Sequence, residues 1–381
     1  MDKASRLDSL LPNGRGVWIP IDHGASDFPV DGLTDTEHVI RSLVRAGVDA
    51  IVAQKGLVSH YGHLCQDSST DMVVHFSVST RHAGPDSSNK VLVGNADEVL
   101  PRGGLGVSCQ VNMGSPNEAV MIERMGQMSR AALHHQLPMF GMVYARGEHL
   151  SIMEGDDTNA NAHAVRLAFE LGCDAAKTTW TGDKESFMKI TSAVPIPVLV
   201  AGGPATGDSK AILTMVRDAL DAGASGICMG RQVFAHPNVE AIAKALMMLV
   251  HQDSTVDEAM NAYNRAIELN PHLFECHQNL IDLLTTYTPQ KRTKNLIVQV
   301  NQEINEIYFK EKNSGVILDD KIIQLFDKFT SIIKKCDLKI ETDLSQVYRR
   351  NSIDLNCKRH KVIFNKFNII PKFCFGCYKV Q

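Results

Sequence analysis

Apolar runs and amphipathic stretches alternate along the first two-thirds of the chain. VWIPID (17–22), DAIVAQ (49–54), MVVHFSV (72–78) and GVSCQV (106–111) are short apolar runs. PMFGMVYA (138–145), DAAKTT (174–179), PVLVAGG (197–203) and SGICMG (225–230) continue the series. They are apolar throughout rather than alternating, as strands are when a parallel sheet is covered on both faces. Between most of them lie stretches with apolar positions at helical spacing: 34–47, 117–134, 159–171, 183–193, 208–222 and 238–250. Eight or nine strand candidates with intervening helices in about 250 residues predict an α/β fold, a (β/α)8 TIM barrel. The competing arrangement is a doubly wound open sheet. It lacks its fingerprint, because no GxGxxG follows the first strand.

The pattern changes near Tyr263. Alanine is absent after Ala266, glycine recurs only at Gly315 and Gly376, and Lys, Asn and Ile take over. We therefore expect two units, a barrel over 1–262 and a basic, mainly helical extension over 263–381. EAMNAYNRAIELNPHLFECHQNLIDLL (258–284) has the alanine, tyrosine and proline spacing of one tetratricopeptide repeat. A single repeat cannot bury its own face, so a helical hairpin leaning on the barrel or on a partner is the reading. An ordinary amphipathic helix pair fits equally well. Near the end, Cys357, His360, Cys374 and Cys377 have spacing that could close a tetrahedral zinc site, against which stands a core role for the cysteines.

Composition narrows the function only a little. An apolar fraction of 44% and a charged fraction of 22% are those of a soluble globular protein. A net charge of -4 gives no global reason to expect nucleic acid as a partner. MDKASRLDSLLPNGRG at the N-terminus lacks the apolar core of a signal peptide, and no apolar stretch is long enough for a bilayer. We expect a cytoplasmic protein with mostly reduced cysteines.

In a barrel of this kind the chemistry sits where strands run out into the following loops. Those positions are unusually polar. Asp22 and His23 follow the first strand and Lys55 the second. Gln110 and Asn112 close the fourth, and Tyr144 and Arg146 the fifth. Lys177 lies within the apolar run AAKTT, where a charged lysine is costly to bury. Either it pairs with a carboxylate, or its pKa falls and it serves as an amine nucleophile. Lys55 is a second cation that could depress it, while Tyr144 and Asp22 offer a proton donor and acceptor. A neutral amine can attack a ketone, and the resulting iminium is an electron sink for carbon–carbon chemistry. AGGP (201–204) and MGR (229–231) are glycine turns at the loops that often hold phosphate in barrels. Arg231 there could instead make a surface ion pair. Asp22 could simply cap a turn, His23 could be a hydrogen-bonded core histidine, and Tyr144 a core aromatic.

These motifs, in this order, resemble the class I aldolases of the archaeal-type fructose-bisphosphate aldolase family. Within it they are most similar to the 2-amino-3,7-dideoxy-D-threo-hept-6-ulosonate synthases. The resemblance runs from about Gly14 to Ala259. It rests on PIDHGAS (20–26), QKGLVSHYG (54–62), VNMGS (111–115), YARGEH (144–149), KTTWTGD (177–183), VAGGP (200–204) and MGRQVF (229–234). It implies that Lys177 forms the Schiff base, Tyr144 donates a proton and Asp22 accepts one. It further implies that Asp22, His23, Gly24, Ala25, Ser26, Tyr144, Ala145, Arg146, Gly202, Gly203, Gly230 and Arg231 bind substrate and phosphate; Lys55 joins this set on its strand-end position alone. The implied reaction joins a phosphorylated keto-sugar donor to an aldehyde such as L-aspartate semialdehyde, as a step toward aromatic amino acids or an aminobenzoate precursor. It needs no metal and no cofactor, and the family implies a homo-oligomer. Fructose-bisphosphate cleavage is the alternative reaction. A non-catalytic barrel scaffold with a binding tail is the alternative of another class. Trp180, Ala145 and Gln110 stand where the family usually has tyrosine, proline and histidine, and the region 77–100 is rearranged. Trp180 is thus the first residue to examine for substrate choice.

Overall fold

The computed structural model describes residues 1–153, 157–204 and 206–269. Eight parallel strands close into a barrel. They are β1 (Gly16–Pro20), β2 (Ala50–Gln54), β3 (Asp71–His75), β4 (Gly106–Met113), β5 (Met139–Ala145), β6 (Ala175–Thr179), β7 (Val198–Ala201) and β8 (Gly226–Cys228). The helices are α1 (Lys3–Leu10), α2 (Thr36–Ala46), α3 (Lys55–Tyr61), α4 (Glu118–His134), α5 (Asp157–Glu170), α6 (Lys184–Thr191), α7 (Ser209–Asp221), α8 (Arg231–Phe234), α9 (Val239–His251) and α10 (Val256–Leu269). The expected TIM barrel is present, with every expected strand in it.

The local chemistry explains the boundaries. Asp35, Asp183, Asp208 and Asn238 each precede a helix and accept a backbone N–H with the side chain. Such caps satisfy donors that the first turn leaves without partners. Most barrel strands then send alternate side chains to two separate apolar layers, whereas the positions of β4 that alternate with Val107, Cys109 and Val111 are the buried polar Ser108, Gln110 and Asn112. Val17, Ile19, Ile51, Val74, Val143, Ala176 and Val200 belong to the outer layer, under the helices. Trp18, Ala50, Val73, Phe140, Ala175 and Leu199 fill the interior. The barrel closes where β1 meets β8, with Gly16 opposite Gly226. A Cβ on Gly226 would stand 2.0 Å from the Gly16 carbonyl oxygen, and its φ is +139°, so only glycine fits there.

Three features were not legible in the pattern. The N-terminal segment forms α1, whose end places Leu10 and Leu11 against Trp18 in the interior layer. The Trp18 indole donates to the Leu10 carbonyl at 2.7 Å, and its ring packs on Phe140 at 4.5 Å. Leu10 and Leu11 thus close the floor of the barrel. Second, the run 72–78 is not one strand. It splits into β3 and a separate pair, Ser77–Val78 antiparallel to Val91–Leu92, inserted before β4. Third, α3 begins directly at Lys55.

One compact unit spans Met1–Ile267, and a second spans Glu268–Gln381. The proposed division at 262 and 263 falls inside α10. Most of the tetratricopeptide-like segment, and all of the Cys357, His360, Cys374 and Cys377 group, lie outside the described residues. Among the described residues, Cys65, Cys109, Cys173 and Cys228 are free thiols. None of the described helices is long and apolar enough to cross a membrane.

Candidate active site

Lys177 stands on the inner face of β6, in register with Met142 of β5 and Leu199 of β7. It is only 7% exposed. The interior layer just beneath it is apolar, so the ammonium can find partners only towards the C-terminal mouth. Tyr144, two residues beyond Met142, is one of them. Asp22 and Cys228 are the others with which it couples. Burial opposes its charge, but Cys228, Tyr144 and Asp22 together outweigh burial, and its pKa goes up. The expected fall therefore does not occur in the free protein. Burial itself pushes the Cys228 thiol up to about 11, so at neutral pH it is un-ionised and Asp22 carries the counter-charge.

Asp22 opens a short helical turn, Asp22–Ala25, directly after β1. Burial alone would raise its pKa, but His75, His23 and Lys177 hold it below the ordinary carboxylate range. The turn Asp22–Ala25 has no side-chain cap, and Tyr144 is partly buried against the interior layer beside Lys177. His23 lies 3.6 Å from the Asp22 carboxylate and edge-on to Phe234 at 5.1 Å. Burial lowers its pKa in spite of Asp22. Gly24, Ala25 and Ser26 complete the turn, and the Ser26 carbonyl accepts the Arg81 N–H at 3.0 Å.

His75 was not singled out in the sequence. It is the last residue of β3, fully buried, with Nε2 at 3.8 Å from Asp22 and Nδ1 at 2.6 Å from the Ser108 hydroxyl. Burial pushes its pKa down to about 4. A histidine inside the otherwise apolar run MVVHF was the available signal. Lys90 was also missed. It precedes the second strand of the inserted pair, and its ammonium donates to the Ser79 hydroxyl at 2.7 Å.

The two glycine turns occupy the mouth as expected. The Gly202 carbonyl accepts from the Gln232 amide at 3.1 Å, and Gly203 has a φ of +65°. A Cβ at Gly230 would come within 2.5 Å of the Pro20 carbonyl and 2.6 Å of the His23 ring. Glycine therefore lets β8 turn closely over the Asp22–His23 corner. Arg231 is exposed and no described carboxylate pairs with it, so the ion-pair alternative does not apply; its charge is felt by His23 and Arg146. Arg146 lies over the Tyr144 ring at 4.4 Å and donates to the Asn112 side-chain oxygen at 2.9 Å. Ala145 separates them at the end of β5.

Two expectations fail. Lys55 is not in the site. As the first residue of α3 it turns outward and pairs with Glu98 at 3.1 Å, so it cannot tune Lys177. Lys90 is the second lysine near Asp22 instead. Trp180 is one residue past β6 and packs on Phe187 of α6 at 5.0 Å, in the outer layer. It faces the helices and not the pocket.

A buried amine between a carboxylate and a phenol, under a mouth lined by Lys90, Arg146 and Arg231, can form and protonate an imine on an anionic ketone. Among the described residues no group of His, Cys, Asp and Glu is arranged to hold a metal ion.

The DeoC/LacD family of aldolases matches residues 17–236. A 2-amino-3,7-dideoxy-D-threo-hept-6-ulosonate synthase of Halobacterium salinarum is 36% identical over 258 residues, covering 68% of this chain and 95% of that protein. A 2-amino-4,5-dihydroxy-6-oxo-7-(phosphonooxy)heptanoate synthase of Streptomyces griseus is 38% identical, covering 62% of this chain and 85% of its own. The crystal structure of an archaeal fructose 1,6-bisphosphate aldolase superposes with a TM-score of 0.59 at 28% identity, over 66% of this chain and all of that one. A further structure of an archaeal fructose-1,6-bisphosphate aldolase, at a TM-score of 0.58 and 28% identity over 65% of this chain and 99% of that one, has its catalytic lysine covalently bound to the carbinolamine intermediate of the substrate.

Proposed function

Because the chain belongs to the DeoC/LacD family of aldolases, we propose that Lys177 is its Schiff-base lysine and that it transfers a carbon fragment between phosphorylated and aldehyde substrates. The observation that carries this reading is the burial of Lys177 beside Asp22 and Tyr144 at the C-terminal end of the barrel. The donor is a phosphorylated keto-sugar and the acceptor an aldehyde such as L-aspartate semialdehyde, in line with the named products of the two synthase relatives.

The amine must lose a proton to react, and the ionised Asp22 is the neighbouring base. The free amine adds to the ketone carbon, one proton passes from its nitrogen to the former carbonyl oxygen, and Asp22 returns the proton it took from the lysine to that hydroxyl, so that water leaves, an iminium forms and Asp22 is ionised again. When the carbon–carbon bond breaks, Asp22 accepts the hydroxyl proton and the bonding electrons pass into the iminium, giving an enamine. The enamine attacks the acceptor aldehyde, and Tyr144 supplies the proton to the new alkoxide. Gly202, Gly203, Gly230 and Arg231 hold the donor phosphate. The backbone N–H groups and the guanidinium there suit an anion. Gly24, Ala25, Ser26 and Ala145 shape the same mouth. No metal or organic cofactor is part of this scheme.

Borohydride with dihydroxyacetone phosphate or a ketose phosphate tests it. We expect a stable adduct on Lys177, read by peptide mass, and none in Lys177→Met. Absence of an adduct on the wild-type lysine refutes the reading. A paired assay separates the reactions: L-aspartate semialdehyde with each donor, and fructose 1,6-bisphosphate alone. The archaeal neighbours favour the second reaction enough to include it. We place the protein in the cytoplasm as a homo-oligomer, which light scattering after size exclusion checks.

A further inference from the structure

The barrel order places β7 and β8 across the mouth from β3 and β4. The glycine turns and Arg231 lie on the first side. On the other side the inserted pair Ser77–Val78 and Val91–Leu92 sits between β3 and β4. We propose that Lys90 and Arg146 form a second anion subsite there, which binds the acidic group at the far end of the acceptor aldehyde. This rests on the aldolase reading above and extends it to the second substrate.

The insertion is fastened to the barrel rim by polar contacts that also fix the two cations. The Asn112 amide donates to the Ser88 carbonyl at 2.7 Å, and the Ser88 and Ser115 hydroxyls meet at 3.1 Å. The Asn112 side-chain oxygen simultaneously accepts from Arg146 Nε at 2.9 Å. Among the described residues that leaves the end of the guanidinium without a partner, while its plane rests on Tyr144. Lys90 is half-buried and tied only to the Ser79 hydroxyl among the described residues. Burial lowers the affinity of Lys90 for its proton, Arg146 lowers it further, and Asp22 offsets only part of this. No described carboxylate lies within ion-pair distance of either. Holding two like charges together away from bulk water is unfavourable unless an anion joins them. A carboxylate fits a guanidinium fork and an ammonium as a point charge. The same chemistry would accept a phosphate.

The carbon skeleton gives the direction. With donor phosphate at β7 and β8 and its ketone carbon on Lys177 of β6, the growing chain extends past Tyr144 on β5 toward β4. The far end of the acceptor therefore reaches the insertion. Lys90 is a specificity residue in this arrangement, since it touches the acceptor away from the reacting carbon.

The test is a comparison of acceptors at saturating donor in wild type, Lys90→Met and Lys90→Arg. The acceptors are L-aspartate semialdehyde, D-glyceraldehyde 3-phosphate and the neutral propanal. Losing one charge-assisted contact is worth about tenfold or more in binding. We expect the KM for at least one charged acceptor to rise about tenfold more than that for propanal in Lys90→Met. Lys90→Arg should restore part of the difference. The charged acceptor that shows the effect identifies the acidic group as carboxylate or phosphate. Equal rises for all three acceptors overturn the proposal. A second measurement does not need turnover: calorimetric titration with malonate, in wild type and Lys90→Met. About tenfold weaker malonate binding in the variant supports the subsite, and identical binding refutes it. Donor trapping on Lys177 is read separately, so a failed aldolase reading shows as no adduct while the malonate result still decides the subsite.

Discussion

Lys177 shows how far a residue's fate depends on its company. Sequence alone offered a carboxylate partner or a depressed amine, and the structure has the first: Asp22 is nearby and the pKa goes up. The sign could not be read beforehand because Cys228 and Asp22 reach Lys177 from strands far apart in the chain. Tyr144→Phe should keep the fold and the donor adduct but lower kcat by about 10²-fold or more, the usual range for loss of a general acid; single-turnover kinetics would check it. His75 gives a stability prediction. Its pKa is about 4 in the folded protein against 6.5 for an ordinary histidine. The unfolded chain binds more protons between those values. The contribution of neutral His75 is therefore complete above about pH 6.5 and is lost as pH falls toward 4. A gap of that size is at most about 3 kcal/mol. Urea unfolding at neutral and acid pH should show a smaller acid loss in His75→Asn than in wild type. An unchanged acid loss would mean that His75 is not the titrating group.

At the scale of elements, the strands were the most legible part. Their apolar runs had the correct number and order, because burial on both faces keeps most strand positions apolar, with Ser108 of β4 an exception. What the period could not show was α1, whose polar residues Asp2, Lys3 and Asp8 mask the two leucines at its end. Nor could it show the insertion before β4, which is two residues wide on each side and carries no periodic signal. Lys90 was missed for that reason. Lys55 was misplaced although the strand end was placed correctly: Ala50 and Val52 point inward, so position 55 has the outward parity, and it opens α3. Leu10 is completely buried. Leu10→Ala should cost about 2–5 kcal/mol, within the range for large-to-small core changes, read as a lower denaturation midpoint with little change in the denaturant slope. Gly230→Ala should weaken donor-phosphate binding by forcing the turn away from the Pro20 carbonyl. Its signature is a raised donor KM with a lesser effect on the acceptor.

At the scale of the molecule, the change in composition near Tyr263 and the division of the chain into Met1–Ile267 and Glu268–Gln381 fall close together. A chain ending after Leu269 should still unfold in one cooperative step and still trap donor on Lys177. Retained trapping with altered mass in light scattering would assign the remaining residues to assembly. Loss of both would show that the barrel depends on them. The family was legible because its motifs sit at the strand ends in a fixed order. The substrate was less so, because the residue first suspected, Trp180, is turned toward α6.

The floor built by Leu10, Leu11 and Trp18 has a kinetic consequence. With that end closed, the departing aldehyde and the arriving acceptor share one doorway. The first product must clear the mouth before the second substrate can meet the enamine. Initial-rate plots at several fixed donor concentrations should then be parallel lines, and excess acceptor should slow the reaction by occupying the entrance before the donor does.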